Sequence, residues 1–268
     1  MKRVKIGNIL IDNGVYTLSS VSGMDAGSAS RNEKNYVDTD GAKIADVYFQ
    51  PRIIEIDGYI FADNVAWYSK LKKDLLKGCN PKKEYDLVYF NGHAKYYAKV
   101  RPDQLPSITP INFCNARFTL YLIMESFYWL SESDIISNVF VREDKLKGTY
   151  TLPTIFTERI SKAIVKNDGD VEIWPTFEIT CESSVSEILI KNNESGDFVK
   201  IIKSLTAGEK ITIDNENKTI ISDKQGNLIN CITKESDFIC IYPGSEEIEC
   251  EANNVSVLCL HRNRYLGV

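Results

Sequence analysis

Val171-Glu-Ile-Trp-Pro-Thr-Phe-Glu-Ile-Thr-Cys-Glu182 decides the fold of this 268-residue chain. Val171, Ile173, Phe177, Ile179 and Cys181 fall on one face, and Glu172, Thr176, Glu178, Thr180 and Glu182 on the other. Side chains of a strand point alternately to its two faces, so this period predicts an antiparallel sheet with one face on a core and one in water. The pattern continues downstream through Glu187–Lys191, Phe198–Ile202, Lys210–Ile213, Lys218–Ser222, Phe238–Tyr242, Glu247–Glu251 and Val255–His261. Glu194-Ser-Gly, Ala207-Gly, Asp214-Asn-Glu-Asn, Pro243-Gly and Asn253-Asn separate these runs as turns. Short strands at this spacing predict a β-sandwich of roughly 100 residues.

Upstream, strands alternate around one helix. Arg52–Phe61 places Ile54, Ile56 and Ile60 on one face. A helix is expected over about 64–77, capped by Asp63 or Asn64, with Tyr68, Leu71 and Leu75 on one face and Gly78 at the left-handed position beyond its end. Asn91-Gly92 between Tyr85–Phe90 and Lys95–Arg101 predicts a type I′ hairpin. Ala116–Trp129 reads as one long strand, apolar on the Phe118/Leu120/Leu122/Met124 face and again on the Tyr121/Ile123/Phe127/Trp129 face. Two apolar faces need two covers, which hints at a subunit interface. Ser22–Lys43 is polar and lacks either period, predicting a long loop, and Ser131–Tyr150 reads as an extended connection. The expected division is residues 1–150 and 151–268, a mainly β chain of two domains.

Charge supports two units: residues 1–130 carry 17 Lys+Arg against 14 Asp+Glu, and the rest 15 against 23. No basic cluster interleaved with aromatics predicts sequence-specific nucleic-acid binding. The most apolar stretch, Phe118–Leu130, is shorter than the roughly 20 residues of a spanning helix and contains Glu125, so neither a membrane span nor export is expected.

The same scan argues against an enzyme. The two histidines, His93 and His261, lie in no recognisable catalytic motif, and nucleotide- and metal-binding signatures are missing, so no cofactor or metal is expected. The seven cysteines form no C-x-x-C pair, and five sit in apolar alternation as buried reduced thiols. Glu247, Glu249 and Glu251 read as the wet face of a strand. Two function classes survive: an assembly protein, or a carbohydrate- or receptor-binding sandwich with Trp174 as a partner contact.

The order of motifs resembles the distal tail proteins (Dit) of long-tailed bacteriophages. In the first half the likeness rests on Arg52-Ile-Ile-Glu-Ile-Asp-Gly58, the Leu71/Leu75 helix, Asn80-Pro81 and Phe127-Tyr-Trp129. In the second it rests on Asn167-Asp-Gly-Asp170 with Pro175, Gly208-Glu209 before Ile211–Asp214, Ser236-Asp-Phe238, and Ile241-Tyr-Pro-Gly244. The resemblance implies a ring-forming belt domain followed by a galectin-like sandwich. It implies a homohexameric ring, single or paired back to back, around the DNA channel. Its partners would be a tail-tube protein, a tail-tip or baseplate hub protein and a receptor-binding protein. Its place would be the distal end of the virion tail, after folding in the host cytoplasm. Ile123, Phe127, Trp129, Arg31 and Tyr36 are the expected interface residues on this reading.

Overall fold

The computed structural model describes residues 2–25, 27–35, 42–132, 134–144, 157–160, 162–252 and 254–268, with 35, 42, 43, 140–144 and 157–160 described by backbone alone. It divides into two compact units, Met1–Glu132 with Tyr265–Val268, and Ser133–Arg264. The division thus falls ahead of the expected residue 150, and the last four residues belong to the first unit.

Unit 1 begins with β1 (Arg3–Ile6), β2 (Ile9–Ile11) and β3 (Tyr16–Ser22), then β4 (Ala29–Asn35), β5 (Ala42–Phe49) and β6 (Arg52–Phe61). After α1 (Val65–Gly78) come β7 (Tyr85–Phe90), β8 (Lys95–Pro102), β9 (Ser107–Pro110), β10 (Asn115–Met124) and β11 (Trp129–Leu130). The main sheet runs β2-β1-β7-β8-β10-β6-β3, with β9 on β10 and β11 on β8. Among the described residues, β4 and β5 pair only with each other.

The helix forms where its caps and apolar face require. Asn64 Oδ1 accepts the Trp67 amide at 2.8 Å, and Leu71 and Leu75 are buried. Burying each leucine contributes about 1.5–3 kcal/mol. Tyr16 adds a crosslink from β3, donating its hydroxyl to Leu71 O at 2.8 Å; burial pushes the phenol up to about 12. Gly78, expected beyond the helix, is its last residue, and Cys79 caps it instead. A Cβ at Gly78 would sit 2.2 Å from Ile9 Cδ1, so a larger residue there requires the Ile9 side chain to move.

The long strand ends at Met124, not Trp129. On β10, Phe118, Leu120, Leu122 and Met124 are buried, as the pattern required. The other face is hydrogen-bonded and polar: Thr119 donates to Asp57 at 2.6 Å, Tyr121 to Glu55 at 3.1 Å, and Arg117 pairs with Asp57 at 3.3 Å. Residues 125–128 bend, resetting the phase so that Trp129 turns into the core. The Asn91-Gly92 turn is a four-residue loop in which Asn91 Oδ1 accepts the amides of His93 and Ala94, not a two-residue type I′ turn.

Unit 2 contains β12 (Ile135–Asp144), β13 (Thr157–Ile160), β14 (Lys162–Asn167), β15 (Thr176–Cys181), β16 (Val185–Asn192), β17 (Phe198–Leu205) and β18 (Lys210–Asp214). β19 (Thr219–Ser222), β20 (Gly226–Asn227), β21 (Gly244–Glu251) and β22 (Val255–His261) follow; the two-residue β23 (Arg264–Tyr265) after them joins the unit 1 sheet by pairing with β11. Its sheets, β13-β12-β22-β15-β18-β19-β20 and β14-β21-β16-β17, contribute to one apolar cluster and form an antiparallel sandwich. The expected connection at 131–150 therefore contains β12. A register shift between Asn138 and Phe140 broke the alternation that would have marked it. Phe238–Tyr242, expected as a strand, joins the ladders among the described residues only through the Ile173–Ile241 bridge. Ile239, Cys240 and Ile241 are all buried there, so the segment threads the interior instead of presenting alternate faces.

Candidate assembly surface

The β4–β5 hairpin of unit 1 presents a row of exposed apolar side chains. Ala29 pairs with Phe49 and Arg31 with Val47 along its ladder. Ile44, Val47, Tyr48 and Phe49 are exposed, Tyr48 at 56%, and Arg31 is exposed as well. The expected loop 22–43 therefore contains β4 and the first residues of β5; Tyr36 lies outside the described residues. An isolated two-stranded hairpin is marginal in water, and its edges offer unpaired backbone groups. This arm is built like an element that is completed by another surface.

Its root is firmly held. Gln50 N donates to Ser28 O at 2.8 Å, and Phe49 stacks on Phe127 with centroids 4.1 Å apart. A Cβ at Gly27 would fall 2.1 Å from the Phe127 ring, so the chain passes there because it carries none. Phe127 is half-buried, with the Arg52 guanidinium 4.5 Å over its ring. It therefore braces the arm from within.

Trp129 is fully buried, meets Tyr89 at a tilt with centroids 6.3 Å apart, and donates its Nε1–H to Met24 O at 3.2 Å. It is core, not surface, which removes it from the expected contacts. Ile123 is half-exposed and lies opposite Ile53, itself 63% exposed, so these two make a small apolar spot at one end of this face, with exposed Phe61 at the other end. Sequence reasoning missed Arg52, which is 2% exposed. The signal was present: Arg52 is in phase with Ile54 and Ile56, at an inward position.

In unit 2, Trp174 is half-buried just after the Ile173–Ile241 bridge, and Tyr242 is exposed. The acidic strand is tied down: Lys162 bonds Glu247 at 2.9 Å, Asn193 bridges Glu247 and Glu249, and Glu246 is buried against Asn192 and the Tyr242 amide. Asp214-Asn-Glu-Asn closes the β18–β19 hairpin, with Asp214 accepting the Asn217 amide. Among the described residues, no cluster of His, Cys, Asp and Glu is arranged to hold a metal, and no helix is long and apolar enough to cross a membrane.

Two family models match the sequence. Residues 10–124 match the phage tail protein RIFT-related domain, and residues 168–265 match the siphovirus-type tail component, C-terminal domain. The chain belongs to the distal tail protein family of siphophages. Members of this Dit family are structural tail components. The fold agrees with that of the SPP1 Dit protein, described as a paradigm of the hub adsorption apparatus in phages infecting Gram-positive hosts. That likeness has a TM-score of 0.76 at 12% identity and covers 99% of this chain and 100% of that one. A chain of the phage p2 baseplate in its activated conformation with Sr matches at a TM-score of 0.54 and 14% identity, with 100% of each chain covered. No curated protein matches the sequence.

Proposed function

We propose that this Dit-family chain is an assembly hub at the distal end of the tail, and that unit 1 closes into a homohexameric ring around the DNA channel. One ring, or two back to back, would join the tail-tube protein to tail-tip or baseplate proteins. Unit 2 would offer a docking surface to them or to a receptor-binding protein, and the chain would fold in the host cytoplasm before joining the virion. It carries out no catalysis on this reading. The observation that carries the ring is the β4–β5 arm, whose apolar side chains and edges are left open by its own chain. Identical subunits joined head to tail each need one such surface and a place to put it. Arg31, the exposed arm residues and the Ile53/Ile123 spot are the proposed contacts.

Six copies of the 30.4 kDa chain weigh about 182 kDa, far from a monomer or dimer. Native mass spectrometry should find that species, and Val47→Asp with Tyr48→Asp should convert it to monomer while the melting curve stays in place. A monodisperse monomer, with or without tail-tube protein, that binds a defined glycan would overturn this reading in favour of the carbohydrate-binding sandwich.

A further inference from the structure

Four backbone carbonyls from three distant segments converge on one guanidinium. Arg52 donates through one terminal nitrogen to Met24 O and, at 3.4 Å, to Gly23 O. The other terminal nitrogen donates to Leu266 O at 2.6 Å and to Phe127 O at 3.4 Å. Gly23 and Met24 precede the arm, and Phe127 braces its root. Leu266 belongs to the segment Tyr265–Val268, which is seated at further points. Tyr265 meets Tyr96 edge-on with centroids 5.4 Å apart, and Val268 packs on the unit 1 core. Gly267 passes so close to the chain before the arm that a Cβ would lie 3.3 Å from Asp25 Cα.

We propose that Tyr265–Val268 is a clasp which, through Arg52, fixes the root of the β4–β5 arm and thereby sets the arm for assembly. Arginine suits the post because its planar fork serves several carbonyls at once. A lysine would keep the charge but concentrate its donors at one point. The clasp delivers Leu266 O to one side of the fork. The opposite nitrogen is then left to hold Gly23 and Met24, and the ring of Phe127 is held between the guanidinium and Phe49. Loss of the clasp therefore frees the strands that enter and leave the arm, while the sandwich, whose core is separate, stays intact. That the arm's order governs self-association rests on the ring reading; that the clasp governs the arm's order does not.

The test is hydrogen exchange on the full chain, followed at Gln50 and in residues 29–32 and 47–49. Arg52→Lys removes the span of the fork, and Gly267→Val pushes the clasp away while leaving Arg52 in place. Ile11→Val is the control, trimming the unit 1 core on β2 without touching the clasp or the carbonyl set. The expected result is arm exchange faster by about tenfold or more in the first two variants, with the control lowering the unit 1 melt but leaving arm exchange alone. Equal arm exchange in all three and the parent would overturn the clasp, as would equal loosening by Ile11→Val. Should Arg52→Lys fail to fold, Gly267→Val decides by the same criterion. Native mass separates the two readings: a loosened arm with an unchanged oligomer supports the clasp and counts against arm-mediated ring closure.

Discussion

His261 shows how one buried side chain makes stability depend on pH. Its Nε2 faces Lys166 O at 3.1 Å, and because a carbonyl can only accept, Nε2 carries the proton. Nδ1 is buried and has no partner among the described residues, so a second proton would be stranded there. Burial lowers the pKa from its ordinary value, against smaller opposing contributions from the Lys166 carbonyl and Asp134. The unfolded chain therefore binds a proton more readily than the folded one. The stabilisation from neutral His261 is complete above about pH 6.5 and is lost as pH falls from there towards the lower folded value. The sandwich should melt progressively lower below that pH, and His261→Gln should flatten this part of the profile. Thiol chemistry follows from burial too: Cys79, Cys250 and Cys259 are pushed up to about 12. A thiol reagent at pH 8 should leave these three unmodified in the native protein, whereas all seven should react after denaturation. The inward phase of His261 and of the buried cysteines was legible because alternation reports direction. Arg52 obeyed the same phase and was overlooked because a charge at an inward position reads as a break in the pattern. In fact it marks the place where backbone carbonyls need a donor.

At the scale of elements, legibility followed the number of covered faces. The helix showed itself through Asn64, Leu71, Leu75 and Asn80-Pro81, which are local signals that tertiary packing did not override. Asn64→Ala should cost about 1 kcal/mol of unit 1 stability, read from denaturant midpoints at unchanged slope. The sandwich strands β15 and β22 showed themselves because one face is dry. β4, with sequence Ala-Ser-Arg-Asn-Glu-Lys-Asn, has no dry face among its described side chains and so has no period to read. β12 hid behind its bulge. The long strand was misread for the opposite reason: apolar residues continue through Phe127-Tyr-Trp129 after the backbone has turned. Composition suggests a second apolar face there, but Phe127 belongs to the arm's root and Trp129 to the core. Interface residues are the least legible class, since an apolar residue waiting for a neighbour and one buried at home have the same letter.

For the whole molecule, the decisive fact is that sequence order and structural units do not coincide. β12 lies between β13 and β22 in the sandwich sheet, pairing Ile135 with His261 and Ser137 with Cys259, although it precedes the expected boundary at 150. Tyr265–Val268 lies beyond the sandwich in sequence yet completes unit 1. Each unit therefore needs residues that a cut at 150 would give to the other. A fragment of residues 133–264 should fold alone, with a strand-type circular dichroism spectrum and one cooperative melt. A fragment beginning at 161 loses β12 and β13, leaving the β22 edge open and Val139 missing from the core. Deleting a buried strand removes both a ladder and apolar cover, so this shorter fragment should melt lower and broader or aggregate. Residues 1–132 without the closing segment lose the Leu266 acceptor on Arg52 and the packing of Tyr265 and Val268. A buried donor left without its acceptor costs about 1–3 kcal/mol. That fragment should therefore melt below unit 1 in the full chain, and fusing Arg264–Val268 to it through a flexible linker should recover part of the difference. Equal melting of the fragment with and without those residues would show that the closing segment adds nothing to unit 1.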